Sequence, residues 1–459
     1  MQLSRALRMQ PPPSLRDTSP IFKENGGGWE GVAFVGAGGK TTSMFQLARE
    51  LGSKVIVTAT SHLGVWQIPL ADRHIIAKLP EEIGEILEGV TLVTGSIEGD
   101  RTQPINSSVL FWLRETLQKD NLPLLIEADG SRGRPLKAPA QHEPPIPSFV
   151  DTVIVVAGLS GLGKPIAEDV VFRVEAFREI GESANRRVNE VVDQQIVTTE
   201  MLARVLTHPE GGLKNIPPQA RRIALLNQAD TSKLQASAQK MSQSLLREYD
   251  SVIVASLKEK EVFAAHEKIA GIILAAGESK RFGKPKQLLD WKGKPFVKQV
   301  AETAIRAGLS PVIVVTGADA KIVENAVRDL DVKIIHNENW QSGQGLSIAA
   351  GVRSLPENIG SAIFLLADQP QVGADILHAL IESHAQNLQS ILAPLVLEDR
   401  RANPVLFDRV TFPDLLQLTG DVGGRAIFDK HRVEYLPWHD DALLLDVDTP
   451  DDYERLVNL

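Results

Sequence analysis

Two places in this chain carry residues whose types and spacing suit triphosphate chemistry. The stronger is LAAGESKRFGKPKQLL (274–289). Ala275, Ala276 and Gly277 are small enough for a backbone turn to approach a ligand closely, and the turn runs on to Ser279, Arg281, Gly283 and Lys286. Backbone N–H groups can contact phosphate oxygens there while the spaced cations neutralise them. A glycine-bearing turn with solvated Lys and Arg is the plainer alternative. Asp368 in FLLADQP and Asp448 in LLLDVDTPDDY each follow an apolar run. A carboxylate at the carboxyl end of a strand in an open α/β sheet is placed to hold Mg²⁺. Asp446 and Asp448 share one face of such a strand, and only Asp448 is expected to reach past the sheet edge. Asp448 also reads as the N-cap of a final helix opened by Thr449 and Pro450, and Asp368 as a turn or cap residue.

The second place is FVGAGGKTTSMFQLA (34–48), a strand, a Gly-rich turn, Lys-Thr and a helix. Gly36, Gly39, Lys40, Thr41 and Thr42 would cradle phosphates, with Lys40 reaching the β/γ-phosphates and Thr41 holding Mg²⁺. Phe34 stands at the first Gly position of GxxxxGK[ST], and the shorter spacing resembles the loop of Mur-ligase-type ATPases. LLIEADG (124–130) then puts Glu127 or Asp129 near the metal. ALLNQAD (224–230) resembles the guanine-reading NKxD through Asn227 and Asp230, with Gln228 in place of Lys. VASL (254–257) follows where a second base contact is expected. A Gly-rich βα turn that binds no nucleotide is the alternative. Arg132, Arg134, Lys137 and His142 form a polar stretch facing either an anionic ligand or solvent.

These residues need scaffolds to converge. Apolar runs at 31–36, 54–60, 122–130, 151–158, 222–230 and 251–257 are continuous rather than alternating, as in parallel strands covered on both faces. After the charged stretch KEKEVFAAHEK (258–268) the grammar restarts at 270–277, with later runs at 311–317, 332–338, 361–368, 390–396 and 442–448. Strand–helix alternation of this kind predicts two α/β domains with doubly wound, mostly parallel sheets, 1–258 and 269–459. Leu3 to Met9 could form one short helix, ended by Pro11-Pro12-Pro13.

Composition narrows the chemistry. The chain has 459 residues, net charge −9 and 43% apolar residues, enough for a core in each half and against a generally basic nucleic-acid binder. Cysteine is absent, which excludes disulfides, thiolate metal sites and a catalytic thiol, and leaves a hard cation such as Mg²⁺ on carboxylates. No apolar run is long enough for a membrane span and the N-terminus has no secretory h-region, so a soluble cytoplasmic protein is expected.

Together the C-terminal motifs resemble the MobA-like nucleotidyltransferases, and within them the molybdenum cofactor cytidylyltransferases. The resemblance rests on LAAGxSxRFGxxK, Asn337, GQGLSIAAG (343–351, with Gly345 and Ser347), ADQP (367–370), ANPVLF (402–407), TGDVGGRAIF (419–428) and DVDTPDDY (446–453). Ala402 stands where that family usually has Gly. It implies a Rossmann-like fold of the nucleotide-diphospho-sugar transferase type. It also implies attack of the terminal phosphate of molybdopterin on the α-phosphate of CTP, with Mg²⁺ on Asp368 and Asp448 and pyrophosphate held by Lys286 and Arg281. Asn337, Gly345 and Ser347 would contact base and ribose. A sugar-phosphate nucleotidyltransferase, or a cofactor-binding chaperone without transferase activity, is the alternative.

The N-terminal half resembles the YqeC-like selenium-dependent hydroxylase accessory proteins through VGAGGKTT (35–42), EADGSRGRPLKAPAQHEPPIP (127–147), GLSGLGKPI (158–166) and Arg173. Phe172-Arg173 stands where His-Arg is usual. The resemblance implies a P-loop-like accessory domain using ATP or GTP. The fusion implies maturation of molybdenum hydroxylases, an apo-hydroxylase as client, and no nucleic-acid or membrane partner.

Overall fold

The computed structural model describes residues 1–9, 31–52, 54–182, 196–278, 282, 285–397 and 399–458. The chain divides into two compact units, Met1–His266 and Glu267–Leu459. Among the described residues no helix is long and apolar enough to cross a membrane.

The first unit is built on a nine-stranded sheet. In chain order its strands are β1 (Val32–Gly36), β2 (Lys54–Ala59), β3 (Arg73–Ile76), β4 (Gly89–Thr94), β5 (Leu124–Glu127), β6 (Thr152–Gly158), β7 (Arg221–Asn227), β8 (Ser251–Ser256) and β9 (Glu261–Glu267). The spatial order is β9-β8-β7-β6-β1-β5-β2-β4-β3. The pairs from β3 through β8 are parallel. Every residue of β6 is buried, which is why TVIVVAG reads as an unbroken apolar run. The chain leaves β1 and β6 toward opposite sides of the sheet, so their carboxyl ends flank a crevice of the kind that binds ligands in open α/β sheets. Helix α1 (Leu3–Ala6) buries Leu3 and Ala6, and α2 (Lys40–Leu51) follows β1 directly.

The second unit carries an eight-stranded sheet. Its strands are β10 (Ile269–Ala275), β11 (Val312–Thr316), β12 (Lys333–His336), β13 (Ser361–Leu366), β14 (Ile391–Val396), β15 (Arg400–Arg401), β16 (Val405–Asp408) and β17 (Val433–Trp438). They lie in the order β12-β11-β10-β13-β16-β14-β15, with β17 also on β14. β10 to β13 pair in parallel, β16 runs antiparallel between β13 and β14, and β17 is parallel to β14. Helices α3 (Phe296–Arg306), α4 (Gln344–Arg353), α5 (Ala374–Asn387) and α6 (Pro450–Val457) complete the positions used below. Here the order reverses at β10 and β13.

Two segments differ from the sequence reading. Residues 442–448 are not a strand. Asp441–Leu444 form a 3₁₀ turn, capped by the Asp440 carboxylate accepting from the Ala442 N–H at 2.9 Å. The parallel place beside β14 is taken by β17, so the apolar Leu443 is buried as a plug rather than in a ladder. The charged stretch 258–268, where the domain boundary is expected, contains β9, and the unit division between His266 and Glu267 falls within it. Glu261 is exposed while Val262, Ala265 and Glu267 are buried, and the strand lies at the edge of the sheet.

Candidate functional site

The second unit opens a cleft of about 830 Å³ at the carboxyl ends of β10 and β13, lined among others by Ala276, Gly277, Lys286, Trp340, Ser347, Asp368 and Asp448. β10 ends at Ala275, which is buried, and the turn beyond it is pinned by Gln287. The Gln287 amide donates to the carbonyls of Ala275 (3.3 Å) and Gly277 (2.7 Å). Arg281, with Ser279 and Gly283, lies outside the described residues. Pro285 starts the 3₁₀ turn Lys286–Leu288 that aims Lys286 into the cleft.

The Lys286 ammonium donates to Asp368 Oδ2 at 3.1 Å and to Asp448 Oδ1 at 2.8 Å. Residues far apart in sequence thus meet at one point. Burial opposes the Lys286 charge, but the hydrogen bond it donates to Asp448 and the charge of Asp368 outweigh it and hold its pKa above the ordinary value. Asp446 also reaches this point, where its Oδ1 accepts from Gln369 Nε2 at 2.5 Å. Burial and then the repulsion of Asp368 push its carboxyl pKa up. Asp448 is not the cap of α6. Thr449 is, accepting from the Asp452 N–H at 3.3 Å in a capping box, which leaves the Asp448 carboxylate to Lys286.

Asn337 is buried and donates to Ser347 Oγ at 2.9 Å, so it positions the cleft-lining Ser347 from β12. The Gly345 N–H donates to the Gly420 carbonyl at 3.1 Å. A side chain on Gly343 would meet Gly420 at 2.2 Å. The glycines of GQGLS therefore admit the 419–421 loop against α4.

In the first unit the turn after β1 packs onto the end of β6. Gly36, Gly38 and Gly39 have φ of 91°, 85° and 119°. A Cβ on Gly36 would lie 2.2 Å from the Val156 carbonyl, and one on Gly38 2.3 Å from the Gly158 nitrogen. Helix α2 begins at Gly39 with no side-chain cap, so Lys40, Thr41 and Thr42 occupy a first turn whose N–H groups point outward. The Lys40 side chain turns back. It donates to the Gly36 carbonyl at 2.8 Å and lies 3.2 Å from Asp129 Oδ1. Thr41 Oγ1 donates to Glu127 Oε2 and accepts from Gln67 Nε2, both at 2.8 Å.

Behind them runs a chain of alternating charge. Asp129 Oδ2 accepts from Lys137 at 2.8 Å, Lys137 donates to Glu143 at 2.9 Å, and Arg173 grips Glu143 with two N–H groups at 2.6 and 2.9 Å. Burial opposes the Glu143 charge, but Arg173 and Lys137 hold its pKa down to about 2. Burial pushes the Glu127 carboxyl up despite Lys40. Asn227 donates to the Gly38 carbonyl at 2.8 Å and accepts from the Leu257 N–H at 3.0 Å, so both ends of its amide hold the turn. Asp230 accepts from Ser256 Oγ at 2.6 Å.

Gln67, Gln287 and Trp340 went unmarked in the sequence. Nothing local distinguishes them, although Gln67 and Gln287 are buried amides that must find partners. Among the described residues no three histidine or carboxylate side chains gather as a metal-holding group. Two hard carboxylates on one ammonium nevertheless fit Mg²⁺, which commonly takes one or two carboxylates and completes its shell with water and substrate phosphate.

Family comparisons match both units. The YqeC protein family model covers residues 32–175 and the MobA-like NTP transferase domain model covers 271–435. YqeC of Escherichia coli (strain K12) is 32% identical over 209 residues, covering 43% of this chain and 75% of that protein. Nicotine blue oxidoreductase of Paenarthrobacter nicotinovorans is 31% identical over 199 residues, covering 41% of this chain and 96% of its own. The chain belongs to both families. As a YqeC and MobA-like fusion it joins a YqeC unit bearing the sealed charge chain to an NTP transferase unit bearing the open cleft. The MobA-like unit is also similar to a protein of Bacillus mycoides (strain KBAB4) named "Probable molybdenum cofactor guanylyltransferase", 28% identical over 141 residues, covering 30% of this chain and 66% of that one.

Proposed function

We propose that the MobA-like unit transfers CMP from CTP to the terminal phosphate of molybdopterin and releases pyrophosphate. The observation that carries this is the meeting of Lys286, Asp368 and Asp448 in one cleft beside the Ala276–Gly277 turn. Asp368 and Asp448 would hold Mg²⁺, which supplies Lewis-acid charge neutralisation when bound. The turn N–H groups bind phosphate, Ser347 and Trp340 line the nucleotide's path, and Lys286, with Arg281, neutralises the leaving pyrophosphate. No nucleophilic side chain is required, because the acceptor phosphate supplies the attacking oxygen. The test is pyrophosphate release from CTP with molybdopterin as acceptor. Release that is independent of the acceptor, or absent with the folded chain, would remove the assignment. The name of the Bacillus mycoides relative favours GTP as the second reading, and the same assay with GTP decides between them.

For the YqeC unit we propose an accessory role in maturing a molybdenum hydroxylase, driven by ATP or GTP. Support comes from the uncapped start of α2 after a glycine turn, with Lys40, Thr41 and Glu127 beside it. Asp230, just past the carboxyl end of β7, would favour guanine. Lys40→Ala should abolish nucleotide binding in calorimetry, and no binding by the wild-type chain at millimolar ATP or GTP would refute it.

A further inference from the structure

The YqeC unit holds a histidine that its chain of charges does not use. His62 follows β2 and is exposed, and its Nδ1 lies 3.1 Å from the Thr102 carbonyl oxygen. A carbonyl oxygen only accepts, so Nδ1 carries the proton and the neutral ring keeps its Nε2 lone pair. Among the described residues Nε2 has no hydrogen-bond partner. The backbone beside the ring is held as well. The Leu63 N–H meets Thr102 Oγ1 at 3.4 Å, and the Thr102 N–H donates to the Leu63 carbonyl at 2.9 Å. The Val65 N–H donates to the Asp100 carbonyl at 2.9 Å, which ties the segment to the hairpin of Ile97–Glu98 and Arg101–Thr102.

The residues on either side of His62 are tied to the glycine turn. The Thr60 N–H donates to the Glu127 carbonyl at 3.1 Å, and Ser61 Oγ lies 3.4 Å from the same oxygen. On the other side the Gly64 N–H donates to Gln67 Oε1 at 3.0 Å, and Gln67 Nε2 donates to Thr41 Oγ1 at 2.8 Å. Residues 60–67 therefore arch from Glu127 to Thr41, with His62 between. The sheet order sets a direction. The parallel strands run β7-β6-β1-β5-β2, so Asp230 past β7 and His62 past β2 lie on opposite sides of β1, which feeds α2. At about 4.8 Å per strand, β7 and β2 each lie roughly 10 Å from β1. A nucleotide with its base at Asp230 and its phosphates along the turn points its terminal phosphate towards β5 and β2. The carboxylates there are engaged: Glu127 accepts from Thr41, and Asp129 faces Lys40 and Lys137.

We infer that the YqeC unit hydrolyses the γ-phosphate of ATP or GTP, with His62 as the general base. The inference rests on the nucleotide reading of the Gly36–Thr41 turn. His62 Nε2 takes a proton from water as the water oxygen bonds to the γ-phosphorus. The bond from that phosphorus to the β,γ-bridging oxygen breaks, and the nucleoside diphosphate leaves with the electron pair. The products are the diphosphate and orthophosphate, and the imidazolium returns its proton to solvent. Lys40 and the N–H groups of the first turn of α2 neutralise the phosphates.

Orthophosphate release from ATP and from GTP by the full chain, without molybdopterin, reads this site, because the transferase cleft releases pyrophosphate. Release is expected with at least one of the two nucleotides. His62→Asn keeps an amide donor for the Thr102 carbonyl but removes the base. Its kcat should fall by about 10²-fold with KM near wild type, the lower end of what a general base contributes. Added imidazole should restore part of the rate in His62→Ala and leave the wild-type rate unchanged. Unchanged kcat in His62→Asn, no rescue by imidazole, or label from the γ-phosphate retained on the chain would each overturn the general-base assignment. Nucleotide bound by the wild-type chain with no orthophosphate released would overturn the hydrolysis and leave the nucleotide reading standing. A wild-type chain that binds neither nucleotide at millimolar concentration would overturn both.

Discussion

Lys40 and Lys286 each follow a glycine-containing turn after a parallel strand, yet they are held differently. The Lys40 side chain is 3% exposed and faces carboxylates that are themselves buried, Glu127 and Asp129. The Lys286 side chain is 15% exposed and bridges carboxylates that are 28% and 55% exposed. In the YqeC unit the charges continue from the buried Asp129 through Lys137 and Glu143 to the partly exposed Arg173, so they belong to the fold as much as to the turn. In the MobA-like unit the cation and its partners stop at the cleft wall. The same strand–turn grammar therefore yields one site whose charges are mutually satisfied and one whose charges can change partner. Phosphate arriving at Lys40 must compete with Asp129 and the Gly36 carbonyl, whereas a divalent cation arriving at Asp368 and Asp448 displaces only a half-buried ammonium.

The contrast breaks most visibly in stability. Lys137→Met takes one of two ammonium partners from the buried Asp129, which keeps Lys40, and should cost up to about 3 kcal/mol, below the full loss for a buried charge left with no partner. Lys286→Met, at an open site, should cost about 1 kcal/mol or less. Denaturant melts of the two variants compare them directly, and similar losses would erase the distinction. Activity should show the reverse ranking. Asp368→Asn should lower turnover by about 10²-fold or more, as expected when a main electrostatic contact is lost, with the fold intact. Near-normal turnover in the folded variant would remove Asp368 from the mechanism. Base choice is subtler. CTP should be preferred to GTP by about tenfold, since a pyrimidine-sized site excludes a purine, and steady-state rates with each nucleotide measure the margin.

The smallest effect is in pH. Glu143 has its pKa lowered from 4.5 to about 2 by Arg173 and Lys137, against the opposing effect of burial. A depressed carboxyl stabilises the folded state above its ordinary value and loses that contribution as pH falls through the folded value. The YqeC unit should therefore lose stability between about pH 4.5 and 2. Glu143→Gln should be less stable near neutrality and show a flatter decline across that window in thermal melts. An unchanged slope would mean the chain of charges does not act as a unit.

What the sequence made legible was local. The buried runs of β1, β6, β10 and β13 announce parallel strands because both faces are covered, and a carboxylate or glycine just past such a run is easy to place. Short edge strands hide: Arg73–Ile76 and Arg400–Arg401 offer too few residues for a pattern. Leu443 misled because an apolar residue can plug a core without joining a ladder. Partnerships were invisible as well. Lys286 and Asp368 are 82 residues apart, and Lys286 and Asp448 are 162 apart, so their meeting follows from strand order and not from spacing. Lys137 and Arg173 could be named as cations, but only the fold joins them through Glu143.

The most direct test compares the two turns in one assay. CTP-dependent pyrophosphate release with molybdopterin would be measured for the wild-type chain, Lys40→Ala and Asp368→Asn. Wild type and Lys40→Ala should release pyrophosphate at similar rates while Asp368→Asn falls by about 10²-fold. Loss of release in a folded Lys40→Ala chain, or its survival in Asp368→Asn, would contradict the account.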